Sequence, residues 1–544
     1  MRTAYPEKPK KSRGFYIFVF MRKNILFRLA TAVMLFLLLL PNTLLGQDTG
    51  TATVRENNPL RNYLRPSISV LYIYRGDDSK IKETIKAIRA KGISRKFDVN
   101  ETSTDLIEFD MEAPIDTLEL KRYLEENFAR EIVSNWFPRF ISEEEGYSMD
   151  VIAERGMFSA TDADVIASRS SVRQEAMLKD AGLNLIDRSY ILIYDITSLE
   201  TTKEGDWIAN CDAYIYKLDW SEEVSETFYQ QWGNPNAISE THFPVELVSA
   251  IKDAKQLKGL MGSESRSSEG VIITTRAQRL AESIYENADI YAAQFVEDFK
   301  AKAPVYSIRP ITSKLGEKEG VRPERRYFIY QLEADEQGDV LAKRRGVVRA
   351  SNKIAKNDSI ATGDSELTRF YQIQGGKIYE GMLMQENPDF GIAFGGYFTF
   401  NEAGAFAEYN ITKLISQFFP NNPILGGSVF IRGGYPFGQK QESDQQRLYV
   451  GFGVLKEFNF MRFLTLSPYL GYAAAPEVKK DGVVVQEQLV GFIAGAKGGA
   501  NISPKMNVFI TADYNSLKST ISEYYSLEKS ISSFSLGVGF QISL

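Results

Sequence analysis

"SSFSLGVGFQISL", Ser532 to Leu544, alternates with a period of two. Phe534, Leu536, Val538, Phe540, Ile542 and Leu544 are apolar, and Ser535, Gly537, Gly539, Gln541 and Ser543 stand between them. Such a segment is a strand with one greasy face and one small, polar face. A barrel in water turns its greasy face inward and carries many Lys and Glu outside. Glycine and serine solubilise poorly but fit inside a narrow tube. The pattern therefore predicts the reverse arrangement, with the greasy face in hydrocarbon and the small face inward. The tube must then close, because lipid offers no hydrogen-bond partner to a free strand edge.

The same alternation runs back to Asp389, giving eight strand candidates over 388–544. The first sets Phe390, Ile392, Phe394 and Phe398 against Ala393, Gly395, Tyr397 and Thr399. The fourth sets Val450, Phe452 and Val454 against Tyr449, Gly451 and Gly453. The seventh sets Val508, Ile510 and Ala512 against Asn507, Thr511 and Asp513. The second, about Gly404 to Ser416, is the weakest, and "ITKLISQFF" within it also reads as a short helix. Short turns such as "NFMR" (459–462) and "NISPK" (501–505) alternate with long polar loops such as "GQKQESDQQ" (438–446). The first loop, "NEAG" (401–404), is short where a long one is expected. Aromatic residues mark both rims, with Phe400, Phe437, Tyr472 and Tyr514 at one and Phe390, Phe458 and Phe460 at the other. Pro468 inside the fifth strand implies a bulge or a different register there.

An eight-stranded tube is just wide enough for its own side chains. Glu408, Arg432, Arg447, Lys497 and Asp513 fall on the inward face. Buried charges persist only when paired, so these five are expected to form an internal structural network. A narrow ion path is the functional alternative. The region resembles the small eight-stranded outer-membrane barrel family, whose members end on an apolar or aromatic residue, as Phe540 and Leu544 do here. The resemblance implies outer-membrane lipid as solvent and the barrel-assembly machinery as a partner in biogenesis. A β-sandwich in water is the competing architecture.

At the other end, Arg22, Lys23 and Arg28 precede the apolar run "ATAVMLFLLLLPNTLLG" (30–46), so 1–46 reads as a signal peptide, with Met21 a possible true start. A retained anchor is the other reading; no Cys follows the run to carry a lipid. A loose leader (47–65) leads into a region, 66–385, of mixed helix and strand signals. "SISVLYIY" (67–74) and "SYILIYDI" (189–196) read as buried strands, and "DWIANCDAYIYKLDW" (206–220) alternates and is expected to pair with the second. Helices are expected after Ser79, over Asp116–Phe137, over Thr161–Gly182 and over Thr275–Lys302. "GSESRSSEG" (262–270) is a possible domain break. The fold class is thus an α+β periplasmic region followed by a C-terminal eight-stranded antiparallel transmembrane barrel. The order helix, "SYILIYDI", long hairpin, helix resembles the periplasmic domain of curli-secretion lipoproteins, although those carry a lipidated Cys that this chain lacks.

Chemistry-bearing signals are sparse. Lys plus Arg number 64 against 70 Asp plus Glu, so there is no basic excess for nucleic acid. Cys211 stands alone and reads as a buried small hydrophobe. His242 is the one histidine and reads as a packing or surface residue. Neither a nucleophile elbow, nor a phosphate loop, nor clustered metal ligands are present, so no enzyme, cofactor or metal is expected. One dense basic stretch, "KRRGVVRASNK", offers Lys343, Arg344, Arg345, Arg349 and Lys353 for contact with an acidic partner or the cell-wall polymer. The expected role is a non-enzymatic outer-membrane protein whose barrel anchors a periplasmic binding domain. Alternatives are a subunit of an envelope secretion or surface-assembly complex, and an enzyme in the middle region.

Overall fold

The computed structural model describes residues 52–53, 65–74, 78–108, 115–139, 146–159, 183–252, 254, 257–267, 269–334, 340–357, 366–400, 402–412, 424–436, 448–476, 478–480, 483–486, 488–519 and 530–544. The signal-like segment 1–46, nearly all of the leader 47–65, the helix expected over 161–182, Phe437 and Arg447 lie outside them.

The first unit is a mixed sheet covered on both faces by helices. β1 (Ser67–Tyr74) runs parallel to β2 (Ser189–Thr201), with the short strands Asp98–Val99 and Leu106–Glu108 parallel beside β1. β3 (Trp207–Leu218) and β4 (Val245–Ile251) continue the sheet antiparallel. All eight residues of "SYILIYDI" are buried, because the sheet is packed on both sides. One face packs under α1 (Ser79–Lys91) through Ile85 and Ile88 and under α3 (Arg276–Phe295) through Leu280 and Ile284. The other packs under α2 (Thr117–Leu124, a π turn Glu125–Ala129, then Arg130–Trp136), around Trp136 and Phe228. A capping box at Thr275 and Gln278 starts α3. The helix ends at Phe295, short of the expected Lys302, whose segment turns into strand. Within the stretch 262–270, Ser265–Arg266 pairs with Ile272–Thr274 in a small hairpin, and Leu260 before it shares a core with Leu280 after it.

The second unit is an antiparallel sheet. Its central strands are β5 (Arg326–Ala334), β6 (Val340–Ala350), β7 (Thr368–Gly375) and β8 (Leu383–Glu386). Tyr327, Ile329 and Val348 point to one face, Phe328, Val347 and Ile373 to the other. At the β6–β7 edge Gly375 takes φ +101, and a Cβ there would sit 2.4 Å from the Arg345 carbonyl oxygen, so only glycine fits.

The chain passes from β8 through Asn387 to Asp389 straight into the barrel. Its strands are β9 (Ile392–Thr399), β10 (Glu402–Asn410), β11 (Gly427–Pro436), β12 (Tyr449–Lys456, continued by Phe458–Phe460), β13 (Leu464–Ala475), β14 (Leu489–Ser503), β15 (Met506–Ser519) and β16 (Ser530–Ser543). Each pairs antiparallel with the next, and β16 pairs back onto β9, closing eight strands into one cylinder. The quoted terminus answers as the alternation demands: Phe534 is 64% exposed and Ser535 2%. Phe452, Leu470 and Ile510 also stand outward, forming a continuous apolar exterior with the aromatic rims. Such an exterior is stable in hydrocarbon and costly in water.

Two expectations resolve differently. The weak second strand is a strand, but it spans Glu402–Asn410 and begins directly after a tight turn closed by Thr399 Oγ1 on the Glu402 amide, 3.0 Å. Pro468 keeps its register, with no bulge; the ladder to β12 instead lacks pairs at Lys456 and Glu457, the positions opposite Pro468 and Ser467.

Candidate functional site: the barrel interior and the junction beneath it

Inside the cylinder, Arg432 on β11 is the centre of a buried polar cluster. Its guanidinium donates to Glu402 Oε1 at 2.8 Å, to the Tyr469 hydroxyl at 2.8 Å, to the Tyr397 hydroxyl at 3.1 Å and to Asp513 Oδ1 at 3.4 Å. Tyr449 and Asn515 also donate to Glu402, at 2.9 and 3.1 Å, and Thr511 donates to Asp513 at 2.9 Å. A second cluster pairs Lys497 with Glu408, the ammonium lying 4.6 Å from the Phe406 ring and 5.3 Å from that of Phe509. The remaining cavity between the clusters is about 30 Å³, room for a water molecule. Among the described residues, these side chains and that small cavity occupy the middle of the tube.

The junction is built by three consecutive residues, Glu324, Arg325 and Arg326. Neighbours on a strand point to opposite sides. Arg326 therefore faces the barrel, where its Nη1 lies 3.4 Å from Asp389 and its Nε donates to the Asn387 carbonyl at 2.9 Å. Arg349, on the same face of the sheet, donates to Asp389 Oδ2 at 2.6 Å and to the Glu324 carbonyl at 2.7 Å. Glu324 accepts from the Gly426 amide of the barrel rim at 3.1 Å and from Tyr371 at 2.6 Å. Its backbone sits at φ +67, a strained conformation for a side-chain-bearing residue, held by these contacts. Burial pushes the Glu324 carboxyl up, against the pull of Arg349. Asn501 Nδ2 adds a bond to the Ile373 carbonyl, 3.0 Å. Gly426 and Asn501 both belong to the rim at which the barrel's first strand begins and its last strand ends. The sheet thus lies across that mouth, leaving a polar cavity of about 60 Å³ lined by Arg349, Gln374, Lys497 and Asn501, among others.

Arg325 points the other way. It donates to Asp289 of α3 at 2.9 Å and pairs with Glu386, while Lys96 reaches the other Asp289 oxygen at 2.8 Å. Burial works against the charge of Asp289, yet Lys96, Arg325 and Arg322 hold its carboxyl well below the usual range. One strand end thus ties the helical unit to one side and the barrel to the other.

Of the residues singled out by sequence, Glu408, Arg432, Lys497 and Asp513 face the barrel interior, in two clusters rather than one network. The basic stretch does not form a single patch. Lys343 and Lys353 are exposed, Arg345 pairs with Glu333 at 2.9 Å, Arg344 lies over Phe328, and Arg349 is consumed by Asp389. Cys211 is fully buried in the first unit, and no metal-binding group occurs among the described residues. Sequence reading missed Glu402, hidden in what looked like a loop, and the Glu324–Arg325–Arg326 triplet, whose only local signal is charge at the start of an apolar strand.

No family model and no curated protein matches the chain. Among solved structures, the crystal structure of the N-terminal β-barrel domain of Pseudomonas aeruginosa OprF matches with 11% identity, covering 28% of this chain and 95% of that chain, at a TM-score of 0.20. The barrel stands on its own strand ladder rather than on this likeness.

Proposed function

We propose that this is an outer-membrane protein without catalytic activity, whose barrel anchors an α+β binding region in the periplasm and holds it in a fixed orientation. The observation that carries the reading is the buried Asp389–Arg326–Arg349 latch at the rim where the barrel's first strand begins. In barrels of this kind short turns face the periplasm and long loops the exterior. Three of the four connections on the rim away from the sheet are long (437–448, 476–488 and 520–529), and on the sheet side two of the three are short (461–463 and 504–505) while 411–426 is long; this balance supports an α+β region that hangs inward. The filled interior disfavours a conduit, and the rigid junction favours positioning a bound envelope component.

Fractionation tests the placement: the chain should sediment with outer membranes and migrate faster on gels before heating than after. Protease added to intact cells should spare residues 66–385 and cut them once the outer membrane is opened. Recovery without detergent, or cleavage in intact cells, would overturn it. For the binding role, photo-cross-linkers placed over the exposed surface of the first unit should yield an envelope adduct; none at any position would remove that part.

A further inference from the structure

We infer that the last turn of α3 is a membrane-surface contact, with Phe295 resting at the headgroup–hydrocarbon boundary of the leaflet nearest the α+β region. The inference rests on the anchoring reading above. Phe390 shares the outward parity of Ile392, Phe394 and Phe398, and its amide donates to the carbonyl of Leu544, the last outward residue of the barrel. It therefore marks the lower edge of the apolar exterior. Tyr291 of α3 packs on Phe390 with centroids 5.2 Å apart, and Phe295 stacks on Tyr291 at 6.1 Å with the planes 2° apart.

The aromatic row thus continues from the barrel onto the helix without a gap. Phe295 is 60% exposed, while Ile284, Ala288, Ala292 and Val296 are buried. The Tyr291–Phe390 contact sets this part of α3 against the start of the first barrel strand. Glu297, two residues beyond Phe295, is paired with Lys300 at 2.7 Å and Lys302 at 2.8 Å. Aromatic rings at this depth are the usual interfacial anchors. The occupant is the lipid surface itself, because the exposed ring is continuous with a face already in hydrocarbon.

The test uses the full chain in phosphatidylcholine vesicles carrying a nitroxide near the top of the acyl chain. Bimane is attached at Phe295→Cys, at Phe452→Cys on the barrel exterior, or at Leu118→Cys, an exposed site on the opposite helical layer. Buried Cys211 contributes no label. Quenching at 295 is expected to approach that at 452 and exceed that at 118 by about threefold or more. Quenching at 295 no greater than at 118, with 452 quenched, overturns the inference alone. An unquenched 452 overturns the barrel placement, and the inference with it.

Discussion

Replacing Asp389 by Asn removes the one carboxylate shared by two buried guanidinium groups. The side chains of Asp389, Arg326 and Arg349 are 8, 3 and 17% exposed, so solvent screens little. Removing one partner of a buried pair costs about 3–5 kcal/mol, because the other charge is stranded. Arg349 keeps the Glu324 carbonyl and Arg326 keeps that of Asn387, which places the cost near the lower end. About 3 kcal/mol corresponds to a roughly 150-fold shift toward the undocked state. Hydrogen exchange on the detergent-solubilised chain reads this directly. The Asn387 amide, bonded to Arg326, and the Gly426 amide, bonded to Glu324, should lose about two orders of magnitude of protection. The Ile431 amide within the barrel should be unchanged. Protection at Asn387 and Gly426 within about threefold of the parent would refute a latch that holds the sheet to the rim.

Three further outcomes follow from the same contacts. Glu324 faces Arg349, Tyr371, Glu457 and Asp389, and burial raises its carboxyl above the ordinary value of 4.5. The folded state then holds its proton more tightly than the unfolded one, so its contribution is fully favourable below about pH 4.5 and is lost as pH rises through the folded value. The thermal midpoint of Glu324→Gln minus that of the parent should therefore increase from about pH 4 to about pH 7, and a constant difference would contradict the assignment. In the barrel, Arg432→Met strands Glu402 and Asp513, whereas adding Glu402→Gln and Asp513→Asn removes the stranded charges; the triple variant should unfold at higher urea than the single, and the reverse order would refute the cluster. A Cβ at Gly539 would meet Phe509 Cζ at 2.3 Å, while one at Gly498 meets nothing within 4 Å. Gly539→Val should abolish the fast-migrating unheated band and Gly498→Ala should preserve it; equal behaviour would mean the small face is not packed.

The barrel was legible because one physical constraint, a face in hydrocarbon, acts on every second residue of each strand between Asp389 and Leu544, as at Phe534, Leu536 and Val538. Constraints that act at one point left no such trace. Glu402 looked like loop because the turn before it is only as long as Thr399 can close, so a strand starts where a long loop was expected. Pro468 looked like a fault because its compensation, the gap at Lys456 and Glu457, lies on another strand. The basic stretch looked like a patch because density along a chain was taken for density on a surface. On β6, Arg344 and Arg345 diverge at a bulge, and Arg349 turns toward the barrel. The junction follows the same logic in reverse: alternation sends adjacent Arg325 and Arg326 to partners 36 and 63 residues away, Asp289 on one side and Asp389 on the other. A single strand end therefore couples the two flanking units, and a one-residue slip of β5 would exchange the two arginines and break both attachments at once.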